Sequence, residues 1–165
     1  MALLEILKYP DPRLRIKALP VLKVDNELRS IIDDMYETMY DAKGVGLAGT
    51  QVNIHQQIFT MDVSEEGNTR VCVFNPEIIH KEGIQYEGEG CLSVGGNAFD
   101  KVERALKIKM RGLDIDFKPI EIEAEGLMAV CIQHEVDHLN GILFIDHLSR
   151  LKQERIRKKI EKTSR

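Results

Sequence analysis

The sequence lacks the features that mark most membrane or secreted proteins. It has no tryptophan, which excludes no function, and only three cysteines, an odd number that suits a disulfide framework poorly. No stretch approaches the ~20 apolar residues that a membrane-spanning helix needs. The N-terminus reaches an acid at Glu5 before any signal-peptide core can form. We therefore expect a cytoplasmic protein with reduced cysteines and no membrane contact.

What the chain does contain fits one globular domain, residues 1–165. It is 43% apolar and 30% charged, values typical of a soluble domain with a hydrophobic core. The charge is unevenly distributed along the chain. Residues 150–165 hold eight lysines or arginines and two glutamates, a local charge of +6. Because the net charge is −4, the rest of the chain carries −10. We interpret residues 149–165 as a basic terminal helix that either docks on an anionic surface such as RNA or is simply solvated.

The most informative stretch is residues 133–139, Gln-His-Glu-Val-Asp-His-Leu. On a helix, His134 and His138 lie one turn apart on the same face and can bind one metal ion. Glu135 lies about 100° around the helix, where it can reach a metal-bound water and act as a general base. The alternative is a solvated helix that carries two histidines by chance.

A catalytic metal usually has three protein ligands, so the motif needs a partner elsewhere. Two peptidase patterns do not supply it: Phe144 stands where metzincins have a histidine, and Glu154 follows too closely to be the glutamate of thermolysin-like enzymes. Cys91, which lies among glycines in residues 88–96, is a better candidate, because glycines allow close backbone approach and a thiolate suits a borderline-soft ion. The alternative is a small core residue in a tight turn.

The apolar periodicity predicts an α+β fold. One helix is expected from Asp25, a good N-cap, to Lys43, and a second from about Gly126, whose buried stripe includes Leu127 and the two histidines. Strands are expected at residues 58–63, 71–74, 106–111 and 120–123, with Pro119 in a turn. The sum is a set of antiparallel strands packed around a central metal-binding helix, with a C-terminal helix from about residue 149.

Three segments together resemble the signature motifs of peptide deformylases in order and spacing. They are residues 44–51 (Gly-Val-Gly-Leu-Ala-Gly-Thr-Gln), 89–93 (Glu-Gly-Cys-Leu-Ser) and 133–139. The likeness extends to both ends of the chain, so it covers essentially the whole sequence. It implies a single catalytic domain: a metal-dependent hydrolase that removes the N-formyl group from N-formylmethionyl peptides of nascent chains and releases formate. It also implies Fe²⁺ as the natural metal, with Zn²⁺, Ni²⁺ or Co²⁺ as substitutes.

The resemblance assigns roles to the matching residues. Three residues would bind the metal: Cys91, His134 and His138. The metal-bound water would be the nucleophile, and Glu135 would take its proton and return one to the leaving amine. The Gln51 side chain and the Leu92 backbone N–H would stabilise the oxyanion. We expect a monomer whose partners are the formylated peptide and, through the basic terminal helix, the ribosome.

The substrate is expected to bind beside these residues. The candidate substrate-binding residues are Val45, Gly46, Gly90, Leu127, Val130 and Cys131, of which the apolar ones would receive the methionine side chain. Gly44 and Gly46 would let the peptide run close to the backbone, like an added strand. The alternative is a plain glycine turn after the first helix.

The chain departs from the family pattern at three places, none of them a ligand or acid position. Gly49 stands where the family usually has alanine, and Gly95 where it usually has proline; residues 96–101 are unusual and one residue longer than in common bacterial forms. We expect catalysis to be retained and the contacts to the peptide beyond methionine to differ. Two rival hypotheses are a peptidase that uses the same motif and an RNA-binding module whose metal is structural.

Overall fold

Two antiparallel sheets form the framework of the protein. The computed structural model describes residues 2–95 and 98–163. In that part of the chain the strands are β1 (Gly46–Ala48), β2 (Ile58–Met61), β3 (Val71–Glu82), β4 (Gln85–Glu89), β5 (Asp100–Arg104), β6 (Lys107–Leu113) and β7 (Pro119–Glu125). Five of them pair in the order β1-β2-β3-β6-β7, and β4 pairs with β5 in a separate two-stranded sheet. The short strand β1 therefore lies at one edge of the larger sheet.

The three helices are α1 (Asn26–Asp41), α2 (Gly126–Leu139) and α3 (Arg150–Thr163). The predicted cap of α1 is confirmed, because the Asp25 side chain accepts a hydrogen bond from the Leu28 backbone N–H at 2.8 Å. The helix ends at Asp41, two residues earlier than predicted, since Lys43 already has a left-handed φ of 59°. Gly44 and Val45 then connect α1 to β1.

Helix α2 is enclosed by the two sheets. Its apolar residues pack on the larger sheet, where Cys131 and Ile132 join a core cluster with Phe59 and Met110. Side chains of the smaller sheet reach α2 from another side, as Arg104 does in its hydrogen bond to Asp137. The predicted α+β class, with antiparallel strands around a central helix, is confirmed.

Several local predictions were wrong for identifiable reasons. Strand β3 runs on to Glu82, because a bulge at Asn75 (φ 51°) carries it past a proline that interrupts the sequence pattern. Pro119 opens β7 instead of lying in a turn, a position that the edge of a sheet tolerates. Leu127 is 57% exposed and not on a buried stripe, because it lies in the first turn of α2.

The glycine-rich segment 44–51 also contains more regular structure than its composition indicates. It holds β1 and the start of a 3₁₀ turn, Gly49–Val52. Gly49 is tightly enclosed there, since a Cβ at this position would lie 2.6 Å from the Ile54 carbonyl oxygen. An alanine here would require the neighbouring backbone to shift.

Helix α3 starts one residue after the predicted Ser149 and packs through one side. Its Ile156 and Ile160 join a core cluster with Val94 and Phe144. Residues 164–165 of the predicted basic helix lie outside the described residues, as do residues 96 and 97 of the unusual loop. No helix in the described ranges is both long and apolar enough to cross a bilayer.

Candidate metal centre

Three metal-ligating side chains converge at the point where the smaller sheet meets α2. Cys91 follows β4, and its Sγ lies 3.2 Å from His138 Nε2, which in turn lies 3.2 Å from His134 Nε2. All three donor atoms lie within 4.8 Å of one another. Bond lengths near 2.0–2.3 Å in a tetrahedral site place donors roughly 3.3–3.6 Å apart. The cluster is therefore compatible with one metal ion.

The electrostatic surroundings of the cluster also suit a cation. Burial opposes a charge on His134, but the hydrogen bond with Cys91 and the negative charge of Glu135 outweigh it and raise the pKa of His134 well above its ordinary value. Burial lowers the pKa of His138 far below its ordinary value, which keeps that imidazole neutral. The negative groups that favour positive charge on His134 would equally favour a divalent ion, to which both imidazoles would bind in their neutral form.

A buried carboxylate fixes the orientation of His134. Glu89 Oε1 lies 2.9 Å from His134 Nδ1, so the ring donates its Nδ1 proton there and leaves Nε2 free to bind an ion. Burial opposes the ionisation of Glu89, but hydrogen bonds from His134 and Arg104 outweigh it and lower the pKa of Glu89 to about 2. The ring therefore has an ionised acceptor across the physiological pH range.

Arg104 holds this carboxylate in place. Its Nε and Nη2 donate to the two oxygens of Glu89 at 2.8 and 3.0 Å, and its Nη1 donates to Asp137 at 2.6 Å. The side chains of Arg104 and Glu89 are only 5% and 3% exposed. The sequence analysis assigned no role to either residue, although Glu89 directly precedes the Gly-Cys pair of one of the three motifs.

Glu135 faces the same space as the three donors but has no visible partner for one of its oxygens. The residue is 3% exposed, and no described residue forms a hydrogen bond with its buried Oε1. Burial raises the pKa of Glu135 to about 7. Gly46 lies directly beside it, since a Cβ there would lie 2.4 Å from Glu135 Oε2 and 2.8 Å from Cys131 Sγ. A carboxyl group in this state can both accept and release a proton near neutral pH.

The two predicted oxyanion donors lie next to Cys91. Gln51 is held by its Oε1, which accepts a hydrogen bond from the Ala48 backbone N–H at 2.9 Å. Its Nε2 lies 3.1 Å from Ser93 Oγ and 3.7 Å from Cys91 Sγ, so the amide points its protons toward the cluster. Leu92 follows Cys91 in the chain, and its carbonyl accepts a hydrogen bond from Lys8.

A cavity of about 350 Å³ opens onto these groups. Its lining includes all six predicted substrate-binding residues, namely Val45, Gly46, Gly90, Leu127, Val130 and Cys131. It also includes Gly44, Gly88 and Glu89. The cavity is therefore bordered by the free edge of β1, the end of β4 and one side of α2, and Cys91, His134 and Glu135 line it.

Phe144, which stands where metzincins have a histidine ligand, contributes no donor atom to the cluster. It is buried, and its ring stacks at 6.3 Å on that of His134. Among residues 2–95 and 98–163, Cys91, His134 and His138 are the one group of three such donors close enough to share an ion. A cluster of three donors, an unpartnered carboxylate and an open cavity define a candidate centre of a metal-dependent hydrolase.

Comparison with known proteins identifies the family. The family model for polypeptide deformylase matches residues 3–154. A protein of Alkalilimnicola ehrlichii named peptide deformylase is 56% identical over 166 residues, which cover 100% of this chain and 93% of that protein. The chain therefore belongs to the peptide deformylase family and is an enzyme of this type.

Solved structures agree with this assignment. The peptide deformylase of Legionella pneumophila superposes with a TM-score of 0.94 at 45% identity, over 98% of this chain and 95% of that one. The enzyme of Ehrlichia chaffeensis in complex with actinonin has a TM-score of 0.95 at 39% identity, over 100% and 99% of the two chains. Family and fold together support deformylation of nascent chains.

Proposed function

We propose that this chain removes the formyl group from N-formylmethionyl peptides and releases formate through the residues described above. The observation that carries the proposal is the convergence of Cys91, His134 and His138 beside Glu135 at the inner end of an open cavity. No other arrangement in the described part of the chain combines metal donors with a free base.

Cys91, His134 and His138 would hold one divalent ion. We infer Fe²⁺ as the natural metal and Zn²⁺, Ni²⁺ or Co²⁺ as substitutes, since one sulfur and two imidazole donors suit all four. When bound, the ion would acidify a water molecule and polarise the formyl carbonyl. Glu89 orients one of the ligands, which supports retention of the metal.

Glu135 is placed to handle the protons of the reaction. It would take a proton from the attacking water and then deliver one to the leaving amine, which an amide needs because a free amide anion is a very poor leaving group. The Gln51 amide and the Leu92 N–H would donate hydrogen bonds to the formyl oxygen as it gains negative charge. One such donor is commonly worth about 3–4 kcal/mol of barrier.

The peptide would lie as an added strand between the edge of β1 and the end of β4. Gly44 and Gly46 line the β1 side of the cavity and Gly88 lines the β4 side, so main-chain atoms would border the peptide on both sides. The methionine side chain would enter the inner part of the cavity, against Val130 and Cys131 of α2. This placement brings the formyl carbon to the metal donors.

The wider context of the enzyme is also part of the proposal. We expect a cytoplasmic monomer without membrane contact, acting on chains as they leave the ribosome. The basic helix α3 is the surface that would dock on ribosomal RNA. The alternative, a helix that is only solvated on its outer face, predicts no loss of ribosome association when its lysines are replaced.

The decisive experiment measures formate release from a formyl-Met dipeptide under anaerobic conditions with added Fe²⁺. We expect rapid release by the intact protein and a loss of turnover of about 10²–10⁴-fold in Glu135→Ala, with its metal content unchanged. Cleavage of internal peptide bonds without formate release would instead support a peptidase. Full activity of Glu135→Ala would show that the assigned base is wrong.

A further inference from the structure

Phe99 is exposed although it is a large apolar side chain, and it lies against two glycines of the cavity lining. It is 70% exposed and directly precedes β5, in the loop that departs from the family pattern. A Cβ on Gly88 would lie 2.3 Å from Phe99 Cε1, and one on Gly90 would lie 3.6 Å from its Cδ2. Both glycines line the cavity, so the ring covers the backbone of one cavity wall from outside.

The pairing of β4 with β5 explains why the ring lies there. Side chains alternate between the two faces of a strand pair, and Gly88 is opposite Lys101 in this register. Glu89 and Arg104 lie on the inner face, where they reach α2. Phe99 and Gly88 lie on the outer face, and the diagonal spacing lets an aromatic ring reach across.

A formylated peptide would bring its second residue to this ring, a step that rests on the proposed function. With the formyl group at the metal donors, the methionine side chain points inward to α2. In an extended chain the next side chain, about 3.3 Å further along, points to the opposite face. It then emerges beside Gly88 and Gly90 on the outer side of the wall, where Phe99 lies.

We propose that Phe99 is a specificity-determining residue that favours peptides with an aromatic or large apolar side chain directly after formylmethionine. The exposed ring provides a contact surface at the rim, and ring-to-ring contact changes selectivity by about three- to tenfold. The competing explanation is that the ring only shields the Gly88 backbone and stabilises the β4–β5 hairpin.

The experiment compares kcat/KM for formyl-Met-Phe, formyl-Met-Ser and formyl-Met-Glu peptides in the metal-loaded enzyme. In Phe99→Ala the preference for Phe over Ser should fall about three- to tenfold, mainly through KM. In Phe99→Lys the preference should move toward Glu. Tyr86→Ala is the matched control, because Tyr86 is a similarly exposed aromatic on the outer face of β4. It is hydrogen-bonded to Glu103, and its atoms are not the ones that cover Gly88 and Gly90.

The outcomes separate this inference from the proposed function. A selectivity that changes in both Phe99 variants but not in Tyr86→Ala supports the inference. Equal loss on all three peptides, accompanied by a lower unfolding temperature, would show a structural role only and would overturn it. If the intact enzyme releases no formate from any peptide, the proposed function fails first and the inference fails with it.

Discussion

Removal of Arg104 should be one of the most damaging single changes outside the metal ligands. Arg104→Met leaves Glu89 buried, ionised and short of two of its hydrogen bonds. Breaking a buried ion pair from one side costs about 3–5 kcal/mol, because the remaining charge has no compensation. For a chain of this size, that corresponds to a fall in Tm of roughly 6–20 °C. Affinity for the metal should also fall, by about 10–100-fold, since Glu89 orients His134.

A double-mutant cycle tests this reasoning. Glu89→Gln removes the partner charge. The Arg104→Met/Glu89→Gln double variant should therefore lose less stability than the two single variants lose together. We expect a coupling energy of about 1 kcal/mol or more, within the usual range of about 0.5–3 kcal/mol. Arg111→Met is the matched control: its ion pair with Glu77 is 60% exposed on both sides, and it should cost less than about 1 kcal/mol. Urea unfolding of metal-free protein provides the energies. If the two single effects add, with a coupling energy below about 0.5 kcal/mol, Arg104 does not stabilise the protein through Glu89.

Three further outcomes are expected. Gly46→Ala places a Cβ 2.4 Å from Glu135 Oε2. Because displacement of a catalytic group by about 1 Å can slow a reaction 10²-fold, kcat/KM for a formyl-Met dipeptide should fall by about that factor. Near-normal kinetics would mean that Glu135 and β1 are not in contact. Gly49→Ala should lower the free energy of unfolding by about 1–3 kcal/mol, since the Cβ meets the Ile54 carbonyl. A variant that unfolds at higher urea concentration would show that the backbone around Gly49 is not tight. Cys91→Ala should lose its metal during dialysis, as measured by elemental analysis, while Cys72→Ala, a buried core thiol, should retain it.

The sequence predicts the part of the site whose residues are close to one another along the chain. His134, Glu135 and His138 share one helix, so their relative positions follow from helical geometry alone. The start of α1 was predictable for the same reason, because Asp25 caps it through residues three positions away. In these cases the interacting groups are close in sequence.

The parts that escaped prediction depend on contacts between distant residues. Strands β4 and β5 carry few apolar residues, because Glu89 and Arg104 fill inner positions with charge. Those charges are compensated by each other and by His134 and Asp137 of α2, which are distant in sequence. Leu127 has the spacing of a core residue, but it lies in the first turn of α2 and lines the open cavity. Strand β1 was not predicted among the glycines of residues 44–51, because it is defined by its pairing with β2.

The placement of the donors on separate parts of the fold has a further consequence. Cys91 follows the smaller sheet, whereas both imidazoles belong to a helix that packs mainly on the larger one. An ion shared by all three would act as a cross-link between the smaller sheet and α2, next to the Glu89–His134 and Arg104–Asp137 hydrogen bonds that already join them. Each tenfold rise in free metal above its dissociation constant would then add about 1.4 kcal/mol to the stability of the folded state, so metal supply would govern how long the enzyme survives as well as how fast it works.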